Sequence, residues 1–265
     1  MGDITTFKRY ELKYKLTLDQ KERLLKIMDD FMELDQYKRT TICNIYYDTE
    51  DFRLIRNSIE KPIYKEKLRV RSYGKARESS KVFVELKKKY DSVVYKRRIT
   101  MGNQAAEMWL TSDENCPVDS QIAQEIEFFR HHYKGIRPQV FLSYEREAYY
   151  MKDGSDFRVT FDENIMARRD RLSLTEEAGG TSLLPDGYTL MELKISKGMP
   201  LWMADFLAKE KIYKTSYSKY GTYYTNVILP EMFGKAEACE KVIRFVPQPV
   251  KDRTEKAGAR LKKAF

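Results

Sequence analysis

Basic side chains occupy every second position over residues 65–71, with Glu66, Leu68 and Val70 between them, and this alternation is the strongest constraint on how the chain folds. The odd positions are all lysine or arginine, whereas positions 68 and 70 are leucine and valine. Successive side chains of a β-strand point to opposite faces, so the segment predicts a strand with one basic and one apolar face. Four like charges in a row repel one another unless anionic groups lie opposite. The fold must therefore cover the apolar face and bring negative charge to the basic face.

Seven further segments show the same period of two, which gives a prediction of about eight strands. Turn-forming pairs such as Tyr73-Gly74 and Asp153-Gly154 separate several of these segments. The predicted strands are 8–16, 42–49, 63–73, 81–89, 93–100, 140–150, 157–162 and 189–196.

Four segments show helical spacing instead. Thr17 and Gln20 predict a capping box, which opens an amphipathic helix. A second helix is predicted near residues 120–133, a third after Pro200, and a short one around residues 104–110. Such helices can cover the apolar faces of the strands, so an α+β fold is expected.

The excess positive charge of the chain is concentrated on one face of the predicted strands. That face carries fourteen basic and six acidic side chains, which accounts for most of the formal net charge of +9. A solvated face of an antiparallel sheet would explain any single strand. A whole sheet of mostly one sign is better explained if the sheet curls with its charged face inward and its helices outside. We therefore predict an antiparallel β-barrel tunnel with a basic lumen, which suits a polyanion.

The residue types that are missing exclude several kinds of site. The only histidines are His131 and His132, so an HExxH zinc site is excluded and a histidine-based triad is not expected. Neither a P-loop nor a Rossmann glycine motif occurs, and the three cysteines lack metal-site spacing. No apolar run reaches the roughly 20 residues of a membrane span, and the charged N-terminus is unlike a signal peptide. A cytoplasmic protein with reduced cysteines is expected.

Glu11, Glu85 and Glu192 each lie two residues from a lysine on the basic face. Local charge balance is one role for these carboxylates. The other is to hold Mn²⁺ or Mg²⁺, which bind one or two carboxylates together with the phosphate oxygens of a substrate. Both roles stay open, and the three residues are the candidate metal ligands.

Eight short motifs, taken in order, make the chain resemble the vacuolar transporter chaperone (VTC) domain. No single motif is specific to that family, but the occurrence of all eight in the same order over about residues 7 to 225 is specific. The motifs are Arg9-Tyr-Glu11-Leu-Lys13-Tyr14, Ile45-Tyr46-Tyr47-Asp48, Lys67-Leu-Arg69-Val-Arg71, Glu85-Leu-Lys87, Ser143-Tyr144-Glu-Arg146, Phe157-Arg158, Glu192-Leu-Lys194 and Ser216-Tyr-Ser218-Lys219-Tyr-Gly221.

The resemblance implies a triphosphate tunnel metalloenzyme that works as a polyphosphate polymerase. Such an enzyme transfers the γ-phosphate of ATP to a growing polyphosphate chain and releases ADP, with Mn²⁺ or Mg²⁺ bridging the nucleotide phosphates. The resemblance makes Glu192 the metal ligand and implies phosphate contacts by Lys13, Arg69, Arg71, Lys87, Lys96, Tyr144, Arg146, Arg158, Ser218 and Lys219.

These contacts divide into two expected roles. The residues expected at the reacting phosphates are Lys13, Arg69, Arg71, Lys87, Arg146, Arg158 and Lys219. The basic face itself adds Lys67, Arg98 and Lys194, so the residues expected to bind substrate are Lys67, Lys96, Arg98, Tyr144, Lys194 and Ser218.

Two departures from related proteins shape this expectation. Triphosphatases of the same superfamily begin with an ExExK motif. In this chain Arg9 stands at the position of the first glutamate of that motif. Loss of that carboxylate disfavours activation of a metal-bound water, which favours transfer over hydrolysis. The chain contains no SPX domain and no transmembrane segment, so the regulation and export that these parts provide in eukaryotic members are not expected.

Two alternative functions stay open. A hydrolase of triphosphate or tripolyphosphate would use water as the acceptor, and a non-catalytic module would only bind polyphosphate. Nucleic acid is not an expected partner, because inward-facing charge cannot reach a duplex and no recognised motif occurs. We predict one tunnel domain over residues 1–250 and a basic tail over residues 251–265, with ATP and inorganic polyphosphate as ligands.

Overall fold

The computed structural model describes residues 10–234 of the chain, apart from residues 92, 113 and 197. Residues 8 and 9 of the first predicted strand, Cys239, the predicted boundary at residue 250 and the basic tail lie outside the described residues. The structure divides between Tyr223 and Tyr224 into two compact units. The first unit contains the whole sheet, and the second begins with a π-helix, Tyr224–Ile228, followed by helical residues 229–234.

The first unit alternates strands and helices in an α+β arrangement. The strands are β1 Tyr10–Thr17, β2 Met32–Leu34, β3 Thr40–Asp48, β4 Tyr64–Tyr73, β5 Lys81–Tyr90, β6 Val93–Gly102, β7 Arg137–Met151, β8 Arg158–Arg168, β9 Thr181–Ser182, β10 Tyr188–Ile195 and β11 Lys214–Thr215. The helices are α1 Leu18–Met28, α2 Arg53–Ile59, α3 Asn103–Thr111, α4 Gln121–His132, α5 Leu201–Lys209 and α6 Lys219–Tyr223.

The strands form one antiparallel sheet, as predicted. Its order is β11-β1-β10-β8-β7-β3-β4-β5-β6, with β2 paired to β7 and β9 paired to β8. The predicted antiparallel tunnel fold with outer helices is thus confirmed, but the sheet is not a closed barrel. Within the described residues, β1 pairs on its second side with β11, at Lys13 and Tyr14, and not with β6. The three short strands β2, β9 and β11 are too brief to show a period, so the sequence did not predict them.

The outer, apolar face of the sheet is covered by helices in two places. One cluster packs Trp109 of α3 and Ile126 of α4 against Leu68 of β4. The other packs Leu24 of α1 and Phe206 of α5 against strands β1, β8 and β10. Each cluster uses the apolar set of the alternating positions, so the charged set is left on the opposite, concave face. None of the helices in the described part of the chain is both long and apolar enough to cross a membrane.

Local capping explains where two helices begin. Thr17 and Gln20 form the predicted capping box at the start of α1, with hydrogen bonds of 3.0 and 3.2 Å in the two directions. Helix α2 was not predicted, because the group that caps it comes from the preceding strand. The buried carboxylate of Asp48 accepts hydrogen bonds from the backbone N–H groups of Leu54 and Ile55.

Candidate functional site

The concave face of the sheet encloses a cavity of about 510 Å³, which we call the tunnel. Its lining contains eleven lysines and arginines but three glutamates. Every predicted site residue except Arg158 lies in this lining. The volume is within the range of about 300–1,000 Å³ that is usual for small-ligand sites. The tunnel is therefore large enough for a short polyanion and carries the charge to bind one.

Alternation along β4 explains how one strand supplies both the core and the site. Leu68 and Val70 are buried against the helices, whereas Lys67 and Arg69 point into the tunnel. Strand β5 repeats the pattern beside it, with Lys67 opposite Lys87 and Arg69 opposite Glu85. The charged residues therefore form rows across neighbouring strands.

Glu11 joins the two separated edges of the sheet. It lies on β1, and its carboxylate accepts hydrogen bonds from Lys87 of β5 at 3.2 Å and from Lys96 of β6 at 3.0 Å. Burial alone would raise the pKa of Glu11, but the two ammonium groups outweigh it and hold the pKa well below its usual value. The sheet thus curls far enough for side chains to bridge a seam that no backbone hydrogen bond closes in the part of the chain that the structure describes. We call this contact between β1 and β5–β6 the seam.

Glu85 bridges two arginines of β4. Its carboxylate lies 2.7 Å from Arg69 and 3.7 Å from Arg71, and a second nitrogen of Arg69 is 3.2 Å from the hydroxyl of Tyr46. Burial opposes ionisation of Glu85, but the two guanidinium groups outweigh it and lower its pKa. Glu85 therefore orients the guanidinium groups that face the tunnel.

A third bridge lies on the opposite wall. Asp162 of β8 is completely buried, and both of its oxygens bind Arg146 of β7, at 2.6 and 2.7 Å. Lys219, the first residue of α6, donates to the same carboxylate at 2.5 Å. Burial would raise the pKa of Asp162, yet these two cations hold it well below its usual value.

The segment before α6 enters the tunnel and is held by a tight turn. Ser218 accepts a hydrogen bond from the backbone N–H of Gly221 at 3.2 Å and one from Lys67 at 3.4 Å. A Cβ at Gly221 would lie 3.1 Å from both Cβ and Oγ of Ser218, a closer approach than most side chains make. Glycine at this place therefore lets the turn close so that Ser218 lies against Lys67 of the tunnel.

Lys13 and Lys67 lie half-buried in the tunnel among other cations. In the part of the chain that the structure describes, neither forms an ion pair, and each donates to a neutral oxygen: the Tyr217 carbonyl at 2.9 Å and the Ser218 hydroxyl at 3.4 Å. Burial, reinforced by neighbouring cations, lowers the pKa of Lys67 to about 7 and that of Lys13 to about 8. An anion placed between them would reverse both shifts.

Glu192 is the tunnel carboxylate with the weakest pairing. Its one ion pair among the described residues is to Lys194, at 3.5 Å, whereas Glu11 and Glu85 each contact two cations. Burial would raise its pKa, but Lys194, Lys13 and Arg146 lower it, so the group is anionic.

No set of three or more histidine, cysteine or carboxylate side chains in described positions could hold a metal. The chain fits a divalent ion bound by one carboxylate and by phosphate oxygens, as Mg²⁺ commonly is.

Arg158 is the predicted residue that lies apart from the others. It is exposed at the first position of β8, opposite Lys194 of β10. It shares the inward face but lies beyond the cavity lining. Its place in the Phe157-Arg158 motif could not reveal this, because position along a strand axis depends on sheet stagger.

Sequence reasoning missed four contributors to the site. Asp162 is one of the six acidic residues that alternation assigns to the charged face, but the sequence indicated no role for it, and Tyr46 was noted only as part of a motif. Arg97 and Tyr220 also line the tunnel. For Asp162, the usable signal was an acidic residue on the same strand face as Arg158.

Comparison with known proteins agrees with this geometry. The family model described as the VTC domain matches residues 8–228. No curated protein matches the chain at a significant level. Among solved structures, a candidate adenylyl cyclase from Hippeastrum, for which a dominant triphosphatase activity is described, is 16% identical with a TM-score of 0.52. The match covers 83% of this chain and 97% of that one.

A second solved structure shares the fold at similarly low identity. It is a candidate adenylate cyclase from Bacillus halodurans, 14% identical, with a TM-score of 0.50 over 80% of this chain and 95% of that one. At such identities the likeness concerns the fold alone. The family match spans most of the chain and every residue that lines the tunnel. The chain therefore belongs to the VTC domain family.

Proposed function

We propose that the chain is an ATP-dependent polyphosphate polymerase, which transfers the γ-phosphate of ATP to the end of a polyphosphate chain and releases ADP. Family membership and the tunnel support the broader function, binding of triphosphate or transfer of phosphoryl groups. The observation that carries the proposal is the surplus of cations in the tunnel, above all the half-buried Lys13 and Lys67, which among the described residues donate only to neutral oxygens. Phosphate oxygens are anionic hydrogen-bond acceptors that lysine and arginine side chains bind well.

The proposed transfer needs charge and position more than proton transfer. A terminal oxygen of the polyphosphate forms a bond to the γ-phosphorus while the bond to the β–γ bridging oxygen breaks, and ADP leaves with that electron pair. The acceptor oxygen is already anionic, so no general base is required. The negative charge spread over the phosphoryl oxygens would be met by Arg69, Arg71 and Arg146, which carboxylates hold in fixed orientations.

A divalent ion held by this chain would complete the scheme. Mn²⁺ or Mg²⁺ held at Glu192 would neutralise charge on the nucleotide phosphates. Glu11 and Glu85 would have to leave their ion pairs before either could join it, so Glu192 is the ligand we propose. Arg158, at the exposed end of β8, is proposed to contact phosphates beyond the cavity.

The second candidate is a hydrolase. The described triphosphatase activity of the Hippeastrum protein favours it, because the two proteins share a fold.

The reaction products distinguish the polymerase from the hydrolase. Purified protein is incubated with ATP, Mn²⁺ and a short polyphosphate primer, and the products are resolved by chain length while ADP and free phosphate are quantified. A lengthening ladder with ADP and little free phosphate supports the polymerase, whereas free phosphate without a ladder supports the hydrolase. Binding without turnover would leave a polyphosphate-binding module.

Glu192→Gln tests whether the tunnel is catalytic or only binds. The variant should lose at least about 100-fold in turnover, because metal-bound charge stabilisation is lost. Its affinity for tripolyphosphate in EDTA should not weaken, since a negative charge has left a basic site. Glu163→Gln is the matched control: this carboxylate lies one residue after Asp162, on the opposite face of β8, and pairs with Lys21 and Arg39. Equal turnover of Glu192→Gln and Glu163→Gln would contradict the proposed metal site.

A further inference from the structure

Asp162 differs from Glu11, Glu85 and Glu192, the carboxylates that line the tunnel, in being sealed away from the cavity. Its exposed fraction is 0%, and it does not line the tunnel. Both oxygens are occupied, one by Arg146 and the other by Arg146 and Lys219 together. While these bonds hold, Asp162 cannot reach a substrate or a metal. Any part that it plays in the reaction must pass through its two cationic partners.

The partners come from separate parts of the fold and share the carboxylate of Asp162. Arg146 belongs to β7 and Lys219 to α6, and both line the tunnel. Both also lie against the ring of Tyr144, at 5.1 Å for Arg146 and 4.4 Å for Lys219. Two long cationic side chains this close would repel each other and sample many rotamers without the shared carboxylate.

Stability alone is a weak reason for this arrangement. A buried ion cluster often contributes no more than well-packed apolar residues would, because desolvation offsets the Coulomb attraction. A bidentate carboxylate does, however, fix a guanidinium plane in one orientation. In phosphoryl transfer, fixed cations near the reacting phosphate are what the protein contributes.

We propose that Asp162 is a positioning residue, which holds Arg146 and Lys219 together in the orientation that contacts the reacting phosphates and offsets part of their charge so that product is not retained. The proposal rests on the proposed function of the same tunnel. It extends that function from the groups that touch phosphate to the group that aligns them. Asp162 thus acts on turnover rather than on capture of the polyanion.

The test measures binding and turnover separately in Asp162→Asn. Tripolyphosphate affinity is measured by calorimetry in EDTA, and kcat and KM are measured with Mn²⁺ on whichever product the wild-type protein releases. We expect kcat to fall at least about 10-fold, since misplacing a catalytic contact by 1 Å can cost about 100-fold. The dissociation constant should stay within about threefold of wild type or become tighter, because two cations lose their internal anion.

Two further variants separate positioning from stability. Glu163→Gln removes a neighbouring carboxylate on the outer face, which pairs with two cations of its own, Lys21 and Arg39. This variant should leave kcat unchanged even if the melting temperature falls. Asp162→Glu keeps the charge but displaces it by one methylene, so it should show the same split between kcat and affinity. This variant decides the question if Asp162→Asn does not fold.

The contrary outcomes are distinct. Unchanged kcat in folded Asp162→Asn, or a loss of affinity of more than about 10-fold with kcat unchanged, would overturn the positioning role. A wild-type protein that hydrolyses without elongating would overturn the polymerase proposal, yet the same kinetic comparison would still test Asp162. A wild-type protein that binds tripolyphosphate without any turnover would overturn both.

Discussion

Lys67 and Lys13 link the charge of the tunnel to pH. Both lysines are half-buried among other cations, and desolvation together with these neighbours lowers the pKa of Lys67 to about 7 and that of Lys13 to about 8. Near pH 8 the empty tunnel therefore holds fewer protons than the same lysines would in water. A bound polyanion restores a partner to each ammonium group and raises both pKa values, so binding takes up protons.

Proton uptake is the first prediction at this scale. At pH 8, tripolyphosphate should bind with uptake of about one proton, and its affinity should fall as the pH rises from 7 to 9. Calorimetry in buffers of different ionisation enthalpy measures the uptake directly. Lys67→Met should reduce it, whereas Lys26→Gln, on the exposed face of α1, should not. Proton release on binding would contradict the lowered pKa values.

The same shifts predict how the stability of the empty protein depends on pH. The folded pKa of Lys67 lies below that of an exposed lysine, so the unfolded chain binds more protons between these two values. The contribution of Lys67 to the free energy of unfolding should therefore rise with pH from about 7 until the unfolded lysine titrates. Urea unfolding of wild type and Lys67→Met should show a difference in slope against pH over this range. Parallel slopes would count against the shift.

At the scale of elements, the seam is the part of the sheet that, among the described residues, is closed by side chains and not by backbone hydrogen bonds. Strands β4 and β5 pair over eight registered positions, but β1 meets β5 and β6 through Glu11. The chain separations are 76 residues for Lys87 and 85 for Lys96, so this contact forms only after the sheet has curled. It therefore reports on the assembled tunnel rather than on any single hairpin.

Glu11→Gln should weaken this closure. The substitution removes the anion between Lys87 and Lys96, and we expect a loss of about 1–2 kcal/mol in the free energy of unfolding. Tripolyphosphate should offset more of the loss than it adds to wild type, because phosphate can replace the carboxylate between the two lysines. Urea unfolding with and without ligand measures both quantities.

A matched control comes from helix α1. Glu22 forms an exposed ion pair with Lys26, at 3.4 Å, of the kind that contributes about 0.5 kcal/mol or less. Glu22→Gln should therefore have little effect, with or without ligand. If Glu11→Gln behaves in the same way, the seam is not held by its ion pairs.

At the scale of the whole molecule, the distribution of charge matters more than its total. The formal net charge is +9, and the tunnel alone collects eleven basic residues against three glutamates. A concave, low-dielectric surface focuses such a field and attracts anions from a distance. Ions in solution screen this attraction, with a Debye length of about 10 Å at 0.1 M salt.

Binding of tripolyphosphate should therefore depend strongly on salt. We expect the dissociation constant to rise at least about 10-fold between 50 and 300 mM KCl, with a smaller rise for Lys67→Met. Titrations at several salt concentrations give the slope. An affinity that does not change with salt would mean that shape and neutral hydrogen bonds, and not the tunnel charge, govern binding.

Much of the fold and of the site follows from local patterns. The period of two placed the eight main strands and assigned each charged residue to a face, because a strand alternates its side chains whatever it pairs with. For the same reason all the predicted site residues except Arg158 line the tunnel, while their roles stay predictions. The capping box at Thr17 was also predictable, since its partners lie three residues apart.

What the sequence could not determine depends on distances between strands that are remote along the chain. Whether β1 meets β6 through backbone or side chains, which carboxylate contacts which cation, and how far Arg158 lies from the cavity are set by sheet curvature and stagger. Asp162 shows the difference best. Its face was evident from alternation, but its bridge between Arg146 and Lys219 exists only because β7, β8 and α6 converge. By itself, the sequence determined the face of each strand, and the tertiary structure decided the partners, because side-chain direction is local whereas ion pairing requires proximity in space.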